Sequence, residues 1–336
     1  MAQTTLPKTM RAILQVDPED TRLKMTQSQV VPTATPNSAE HLIRVHTTSP
    51  CNGELLWAKN FPPPEGWTKE FVPCDDVAGT VITAPDDSPF RPGDEVYART
   101  SYVRAGCARD YTIGVTGELA HRPKRLSWAE SAATPMSAET AWEALFVQSG
   151  VGGINDAAAW KGKRVLVTAA SGGVGGWVVQ MARIAGAEVI GTCGPDNIEF
   201  VRSLGATEVL DYRVTDMREW AGNANNKVDL VIDCIGKKSL GDAWWTVLDG
   251  GILISICQPP EQMKPADCAG KDIKSFFFIM TPSGAELKEI TKLVDEGKCR
   301  PTVDSVWPLE QYKEAFRRLE SGHSRGKVIL DLTLNN

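Results

Sequence analysis

A glycine-rich turn between a strand-like run and a helical pattern constrains the fold of this chain more than any other feature. In KRVLVTAASGGVGGWVVQMARIAGAEVIGT, which begins at Lys163, β-prone residues lead into the small residues 170–176, and a helix and a second strand follow. Small residues let the backbone approach a pyrophosphate, and the helix N-terminus supplies N–H donors. This context predicts a dinucleotide site rather than an ordinary tight turn. Ala170 replaces the first glycine of the usual pattern, which is tolerable if the turn needs no positive φ there.

The rest of the chain divides around this segment. From Lys163, apolar runs alternate with helical patterns as far as SFFFIM, which predicts a parallel sheet covered by helices on both faces. The first 130 or so residues hold short strand-like runs, such as MRAILQV and VAGTVITA, between turn formers, so this part is β-rich. The last fifty residues contain two helical patterns and a final strand, KVILDLTL. The 336 residues therefore predict about two domains.

Charge and cysteine usage exclude several classes of protein. The net charge of −6 offers no basic field, so neither nucleic acid nor an anionic membrane surface is expected as a partner. No stretch approaches the ~20 apolar residues of a membrane span, and the first residues lack the pattern of a signal peptide. The eight cysteines are scattered singly without a Cys-x-x-Cys pair, which disfavours zinc-ribbon and thioredoxin-like sites. We expect reduced thiols and a cytoplasmic location.

The next strand after the glycine-rich turn and its helix indicates whether the nicotinamide cofactor carries a 2′-phosphate. A dinucleotide without a 2′-phosphate is usually bound through an acid about 20 residues past the glycines. Thr192, Cys193 and Gly194 occupy that place, so no carboxylate would repel a phosphate. With Tyr212 and Arg213 closing the next strand, NADPH is favoured over NADH. The alternative is that Tyr212 and Arg213 only flank a surface loop.

Several motifs resemble the zinc-free branch of the medium-chain dehydrogenase/reductase superfamily, the quinone oxidoreductase and enoyl reductase group. They are PCDDVAGTVI with RPGDEVYA, then AATPMSAETAWEALF, VTAASGGVGG, VRSLGATEVLDYR and HSRGKVILDL, and they extend over nearly the whole chain. The resemblance implies an α/β protein with two domains. A GroES-like β-barrel domain would comprise residues 1–135 and 282–336, and a Rossmann domain with a doubly wound parallel sheet would be inserted at 136–281.

The resemblance also implies which residues bind NADPH. The pyrophosphate would lie on the glycine-rich turn, the 2′-phosphoribose on the end of the second strand, and the nicotinamide near Thr140 and Cys234, with Lys327 reaching the cofactor from the tail. The cofactor set is Ala170, Ser171, Gly172, Gly173, Val174, Gly194, Pro195, Asp196, Asn197, Tyr212, Cys234 and Lys327.

A catalytic zinc is not expected. The superfamily's alcohol dehydrogenases bind zinc through a Cys, a Gly-His-Glu motif and a further Cys or His. Here Cys51 has the place of the first ligand, but the triplet reads Cys74-Asp75-Asp76 and the third place is Met136. A catalytic zinc needs three suitable protein ligands, and Met is a poor one. Zinc-free relatives usually carry Asn near Cys51, and either Cys51 or Asn52 takes that place.

Without a metal, hydride transfer needs an electrophilic acceptor, such as a conjugated C=C–C=O system or a quinone. Negative charge then develops on the carbonyl oxygen, which hydrogen-bond donors must stabilise. Asn52 and Thr140 are the candidate donors, Cys51 is a candidate wall residue of the active site, and water is a sufficient proton source. Packing roles for these residues are the alternative.

The sequence thus predicts an NADPH-dependent, zinc-independent reductase of an enone or a quinone. One alternative is a trans-acting enoyl reductase partnering a polyketide synthase, because TCGPDNIEFVRSLGA is similar to such enzymes of fungi. Another is a nucleotide-binding protein of the same fold without redox activity. Resemblance to quinone reductases favours a homodimer, and resemblance to the trans-acting enzymes favours a monomer. FFFIM at 276–280 would line the substrate cleft or pair edge to edge, unless it is an ordinary buried strand.

Overall fold

The computed structural model describes residues 6–62, 64–66 and 69–334. Two compact units form within this part of the chain. The first takes in the chain up to Met136, Thr281–Glu296 and the chain from Pro301 onward, and the second takes in Ser137–Met280 and Gly297–Arg300.

The short segment Gly297–Arg300 differs from the predicted division, which assigned it to the first unit. The Gln180 side chain explains the difference. Its Oε1 accepts the Arg300 N–H at 2.9 Å, and its Nε2 donates to the Arg300 carbonyl at 3.0 Å, so the segment is bound to a helix of the second unit.

The strands and helices are numbered in chain order. The strands are β1 (Thr9–Gln15), β2 (Leu23–Val30), β3 (Glu40–Ser49), β4 (Asp76–Thr83), β5 (Glu95–Arg99), β6 (Tyr111–Val115), β7 (Ala120–His121), β8 (Arg164–Val167), β9 (Glu188–Cys193), β10 (Glu208–Asp211), β11 (Val228–Asp233), β12 (Val247–Ser255), β13 (Lys274–Phe277), β14 (Val303–Pro308) and β15 (Lys327–Asp331). The helices are α1 (Trp57–Asn60), α2 (Trp128–Ala132), α3 (Pro135–Trp142), α4 (Ala157–Trp160), α5 (Gly173–Ala185), α6 (Ile198–Ser203), α7 (Met217–Trp220), α8 (Lys237–Ala243), α9 (Gly284–Asp295) and α10 (Tyr312–Glu320). Across the described residues, no helix has the length and apolar character needed to cross a membrane.

The first unit is built on a mostly antiparallel sheet in the order β14-β15-β3-β4-β5-β7, with β6 also pairing with β3. The C-terminal strand β15 lies beside β3, and Leu330 is opposite Thr48. Both ends of the chain therefore contribute to one sheet. Its core contains fully buried side chains from early and late strands, including Ile43, Val77 and Val328.

Helix α10 covers this core because its apolar residues fall on one face. Tyr312, Ala315, Phe316 and Leu319 are buried at the spacing i, i+3, i+4, i+7, while charged residues lie between them. The two helical patterns and the final strand predicted for the last fifty residues correspond to α9, α10 and β15.

The second unit contains a parallel sheet in the order β10-β9-β8-β11-β12-β13. Its central strands are buried on both faces along their apolar runs, which are residues 165–167 in β8 and 230–232 in β11. The order reverses at β8, which has β9 on one side and β11 on the other. In such sheets the crevice beyond the carboxyl ends of the two strands flanking the reversal is where ligands bind. The predicted doubly wound sheet is confirmed.

The edges of the sheets were harder to predict from the sequence. Strand β13 ends the parallel sheet, and Phe276 and Phe277 on it are only half-buried. Strand β2, LKMTQSQV, carries no continuous apolar pattern and forms by pairing with β1 as an antiparallel partner.

Candidate functional site

The glycine-rich turn of the second unit leads from β8 into the N-terminus of α5. The Ala170 N–H donates to the Thr192 carbonyl at 2.9 Å, and the Gly172 N–H donates to the Ala169 carbonyl at 2.8 Å. Helix α5 begins after Gly172, and no side chain caps it. Its first N–H groups therefore have no intrahelical acceptor and retain the positive end of the helix dipole.

The conformation of this turn differs in one respect from the usual pattern. The residue with positive φ is Ala169, at 49°, and Ala170 has an ordinary φ. The replacement of the first glycine by Ala170 is therefore accommodated. Ala169 itself is a non-glycine residue in the left-handed region, which costs about 1 kcal/mol.

Two glycines allow the helix and the strands to approach closely. A Cβ on Gly175 would lie 2.2 Å from the Ala169 carbonyl oxygen. A Cβ on Gly191 would lie 2.8 Å from the side chains of Ala170 and Val201. Close helix–strand packing is one of the reasons for glycines in dinucleotide-binding turns.

The carboxyl ends of β8, β11 and β12 are joined by the buried carboxylate of Asp233. Its Oδ1 accepts the Thr168 hydroxyl at 3.0 Å, and its Oδ2 accepts the Ser255 hydroxyl at 2.8 Å and the Gly236 N–H at 2.9 Å. Asp233 was not among the site residues predicted from the sequence. The signal was available, because an acid follows the buried run VDLVI directly and such a carboxylate needs partners.

Cys234, one of the residues predicted to lie near the nicotinamide, is oriented by the same network. Its N–H donates to the Thr168 hydroxyl at 2.8 Å, at the carboxyl ends of the two strands where the order reverses. Burial raises the pKa of the Cys234 thiol well above its ordinary value. The residue therefore presents a neutral thiol.

The residues predicted for the 2′-phosphoribose come together at the ends of β9 and β10. The Tyr212 N–H donates to the Cys193 carbonyl at 3.2 Å. A Cβ on Gly194 would lie 3.7 Å from both the Tyr212 hydroxyl and Nη2 of Arg213. Pro195, Asp196 and Asn197 form the 3₁₀ turn that follows Gly194. An exposed guanidinium and a phenol thus border the backbone at this strand end.

In the first unit, a buried carboxyl group organises the segment that carries Cys51 and Asn52. Oε2 of Glu54 accepts the Cys51 N–H at 3.0 Å, and Oε1 accepts the Cys74 N–H at 3.2 Å. Burial, helped by the charge of Asp75, raises the pKa of the Glu54 carboxyl to about 8. Burial also raises the pKa of the Cys51 thiol to about 11. Asn52 is exposed.

The two acids of the Cys74-Asp75-Asp76 triplet each face a cation of this unit. Asp75 Oδ2 lies 3.9 Å from Nη2 of Arg99. Asp76 is fully buried, and its Oδ2 lies 3.2 Å from Nζ of Lys327 as an ion pair without an aligned hydrogen bond. Its Oδ1 accepts the Met136 N–H at 2.7 Å. Burial raises the pKa of both carboxyl groups above the ordinary value for aspartate.

Lys327, which the resemblance assigned to the cofactor, is buried within the first unit. Its Nζ donates to the Pro50 carbonyl at 3.0 Å in addition to facing Asp76. Thr140, which together with Asn52 was predicted to donate a hydrogen bond to the substrate, lies on α3 in the second unit and is buried.

A catalytic zinc does not fit the residues at the positions that correspond to its ligands. One oxygen of Asp76 is bonded to a backbone N–H, and the other faces an ammonium that would repel a dication. The third position is Met136, whose thioether is a poor ligand for zinc. In the ranges the structure describes, no three His, Cys, Asp or Glu side chains are grouped to hold a metal ion.

Similarity to known proteins extends over nearly the whole chain. Residues 204–330 match the family described as zinc-binding dehydrogenase. The chain is 53% identical over 332 residues, 97% of its length and 98% of the relative's, to a protein of Arthroderma benhamiae named "Probable zinc-binding oxidoreductase, mitochondrial". It is 33% identical over 282 residues, 76% of its length and 69% of the relative's, to a mitochondrial NAD(P)H oxidoreductase of Mus musculus. The solved quinone oxidoreductase of Coxiella burnetii is similar with a TM-score of 0.77 and 25% identity, covering 97% of this chain and 100% of that one.

Adjacent glycines of α5 offer a matched test of the close packing. Gly175→Ala should lower the free energy of unfolding by about 1–3 kcal/mol, because the new Cβ would overlap the Ala169 carbonyl. Gly176→Ala should be neutral or stabilising by up to about 1 kcal/mol, because its Cβ would lie 3.5 Å from Leu204 and alanine favours a helix. Urea unfolding measures both, and equal effects would contradict the packing argument.

The raised pKa of Glu54 predicts a pH dependence of stability. Between its ordinary value of 4.5 and its folded value of about 8, the folded chain binds more protons than the unfolded chain. The contribution of Glu54 to the free energy of unfolding therefore falls as pH rises through this interval. Glu54→Gln should flatten that fall, as measured by urea unfolding across the interval, with Glu320→Gln on the exposed end of α10 as control. Stability of the wild type that rises with pH relative to Glu54→Gln would contradict the prediction.

Proposed function

The chain belongs to the medium-chain dehydrogenase/reductase superfamily, in the zinc-binding dehydrogenase family to which quinone oxidoreductase homologues belong, and we propose that it is an NADPH-dependent, zinc-independent reductase. It is an oxidoreductase with a nicotinamide cofactor, in keeping with its NAD(P)H-using relative. The substrate we propose is an α,β-unsaturated carbonyl compound or a quinone, acted on by hydride transfer.

The observation that carries the cofactor proposal is the uncapped N-terminus of α5 beside the point where the strand order reverses. Backbone N–H groups of Gly173 and Val174 would bind the pyrophosphate, with Ser171 and Gly172 forming the approach to the helix. Gly175 keeps the helix close enough to β8 for this turn to form.

The preference for NADPH is supported by Arg213 and Tyr212. Both lie beside Gly194, where a 2′-phosphate would meet a guanidinium and a phenol instead of a repelling carboxylate at the end of β9. Arginine binds phosphate through charge-assisted hydrogen bonds.

When bound, NADPH supplies a hydride to the electrophilic carbon of the substrate. Asn52 and Thr140 are the proposed donors that stabilise negative charge on the substrate's carbonyl oxygen, and water supplies the proton. Cys51 contributes a neutral thiol, since its raised pKa keeps the proton on sulfur. The two cations facing Asp75 and Asp76 support a scheme without a Lewis-acidic zinc.

Location and assembly remain predictions. The cytoplasmic location follows from cysteine usage alone, whereas two similar proteins are named as mitochondrial. A monomer and a homodimer both remain predictions, as does a polyketide synthase partner.

The proposal is tested by turnover of the purified full chain. We expect NADPH oxidation with a panel of free enones and quinones, and no reduction of NADP⁺ by simple alcohols with or without added zinc. Turnover only with acyl-carrier enoyl thioesters would instead support the trans-acting enoyl reductase. Calorimetric binding of NADPH without turnover on any substrate would support the nucleotide-binding alternative.

The role of Arg213 predicts a change of cofactor preference. Arg213→Gln should raise KM for NADPH by about 10-fold or more, since a charge-assisted hydrogen bond contributes about 1.5–3 kcal/mol. KM for NADH should stay within about 2-fold. Arg218→Gln removes the same charge from α7, where Arg218 pairs with Asp267, and should leave both values unchanged. Equal effects of Arg213→Gln on the two cofactors would contradict the assignment.

A further inference from the structure

The buried ammonium of Lys327 has its contacts inside the first unit. The residue is 6% exposed, on the first position of β15. Burial alone would lower its pKa, but the neighbouring charge of Asp76 raises it above the ordinary value for lysine. The side chain is therefore charged, with two of its three donor directions facing the Pro50 carbonyl and the Asp76 carboxylate.

The Pro50 carbonyl lies immediately before Cys51 and Asn52 in the chain. A second contact holds the same segment to β15, because the Ser49 hydroxyl donates to the Val328 carbonyl at 2.7 Å. Glu54 accepts the N–H of the same Pro50–Cys51 peptide group, and its own N–H donates to the Cys51 carbonyl at 3.2 Å. Strand β15 and Glu54 thus restrain the peptide groups on both sides of Cys51.

Asp76 extends the same arrangement to two further elements. It lies on β4, and its carboxylate binds the Met136 N–H in the first turn of α3 as well as facing Lys327. Removing the lysine would leave a fully buried carboxylate with one uncompensated oxygen, which is a costly state. The ion pair therefore connects the Pro50–Asn52 backbone, β4, β15 and the start of α3.

We propose that Lys327 is a positioning residue that orients Cys51 and Asn52 through the Pro50 carbonyl, rather than a ligand of the nucleotide. A phosphate would have to compete with Asp76 for the ammonium and would find one donor direction left. The positive charge also lies 3.2 Å from Asp76, in the triplet that takes the place of the Gly-His-Glu motif of zinc-dependent alcohol dehydrogenases. The proposal rests on the proposed reductase function for its kinetic readout but not for its structural one.

The structural readout is hydrogen exchange measured by mass spectrometry on peptides covering 49–56 and 170–176. Lys327→Met is compared with the double variant Asp76→Asn with Lys327→Met, which removes both charges and still offers an acceptor to Met136. Lys292→Met, at an exposed pair with Glu289, is the control. We expect exchange over 49–56 to become at least 10-fold faster in both Lys327 variants and exchange over 170–176 to stay unchanged. Unchanged exchange over 49–56 would overturn the proposal, whether or not any substrate is turned over.

The binding and kinetic readouts separate positioning from nucleotide binding. We expect the Kd for NADPH, measured by calorimetry, to stay within about 3-fold in both variants, while kcat with the best enone or quinone falls at least 10-fold. A Kd raised 10-fold or more with unchanged kcat would make Lys327 a nucleotide ligand and overturn the proposal. Recovery of wild-type kcat in the double variant would overturn it too, because the lysine would then only compensate Asp76. Lack of turnover by the wild type would count against the reductase function alone, and the exchange experiment would still decide the role of Lys327.

Discussion

A fully buried carboxylate, that of Asp76, is the constraint on which the arrangement of the first unit depends. Because a buried charge must be compensated, β4 has to lie where a cation and a backbone donor can reach it. Lys327 on the C-terminal strand and the Met136 N–H meet that need. The pairing of β15 with β3 brings the end of the chain to this place. The loop with Cys51 and Asn52 is held as a consequence, through Pro50.

The second unit satisfies an equivalent need with hydroxyl and N–H donors. Asp233 is also fully buried, but Thr168, Ser255 and Gly236 supply neutral hydrogen bonds instead of a cation. These donors belong to the ends of three neighbouring strands, so the carboxylate fixes the edge of the sheet from which the candidate cofactor residues project. The two units thus use the same physical requirement to order their candidate functional residues, one with an ion pair and one with a neutral network.

Local sequence patterns predicted much of the fold. The apolar runs in β8 and β11 and the amphipathic spacing of α10 are properties of neighbouring residues, and each formed the predicted element. The polar strand β2 carries no such pattern, because what makes it a strand is its pairing with β1. The glycine-rich turn was recognisable from residue types alone, but the shift of the positive φ to Ala169 depends on how the chain leaves β8.

Residue types and short spacings were enough to predict the parallel sheet, the glycine-rich turn and the lack of a conventional set of zinc ligands. Folding brings Lys327 beside Asp76 and beside Pro50, which is 277 residues away in the chain, and such long-range pairing depends on which strands become neighbours. Folding likewise decided that Glu54 is buried between two backbone donors, with its pKa raised. Burial and charge neighbours are properties of the folded chain, so no local pattern could have assigned them.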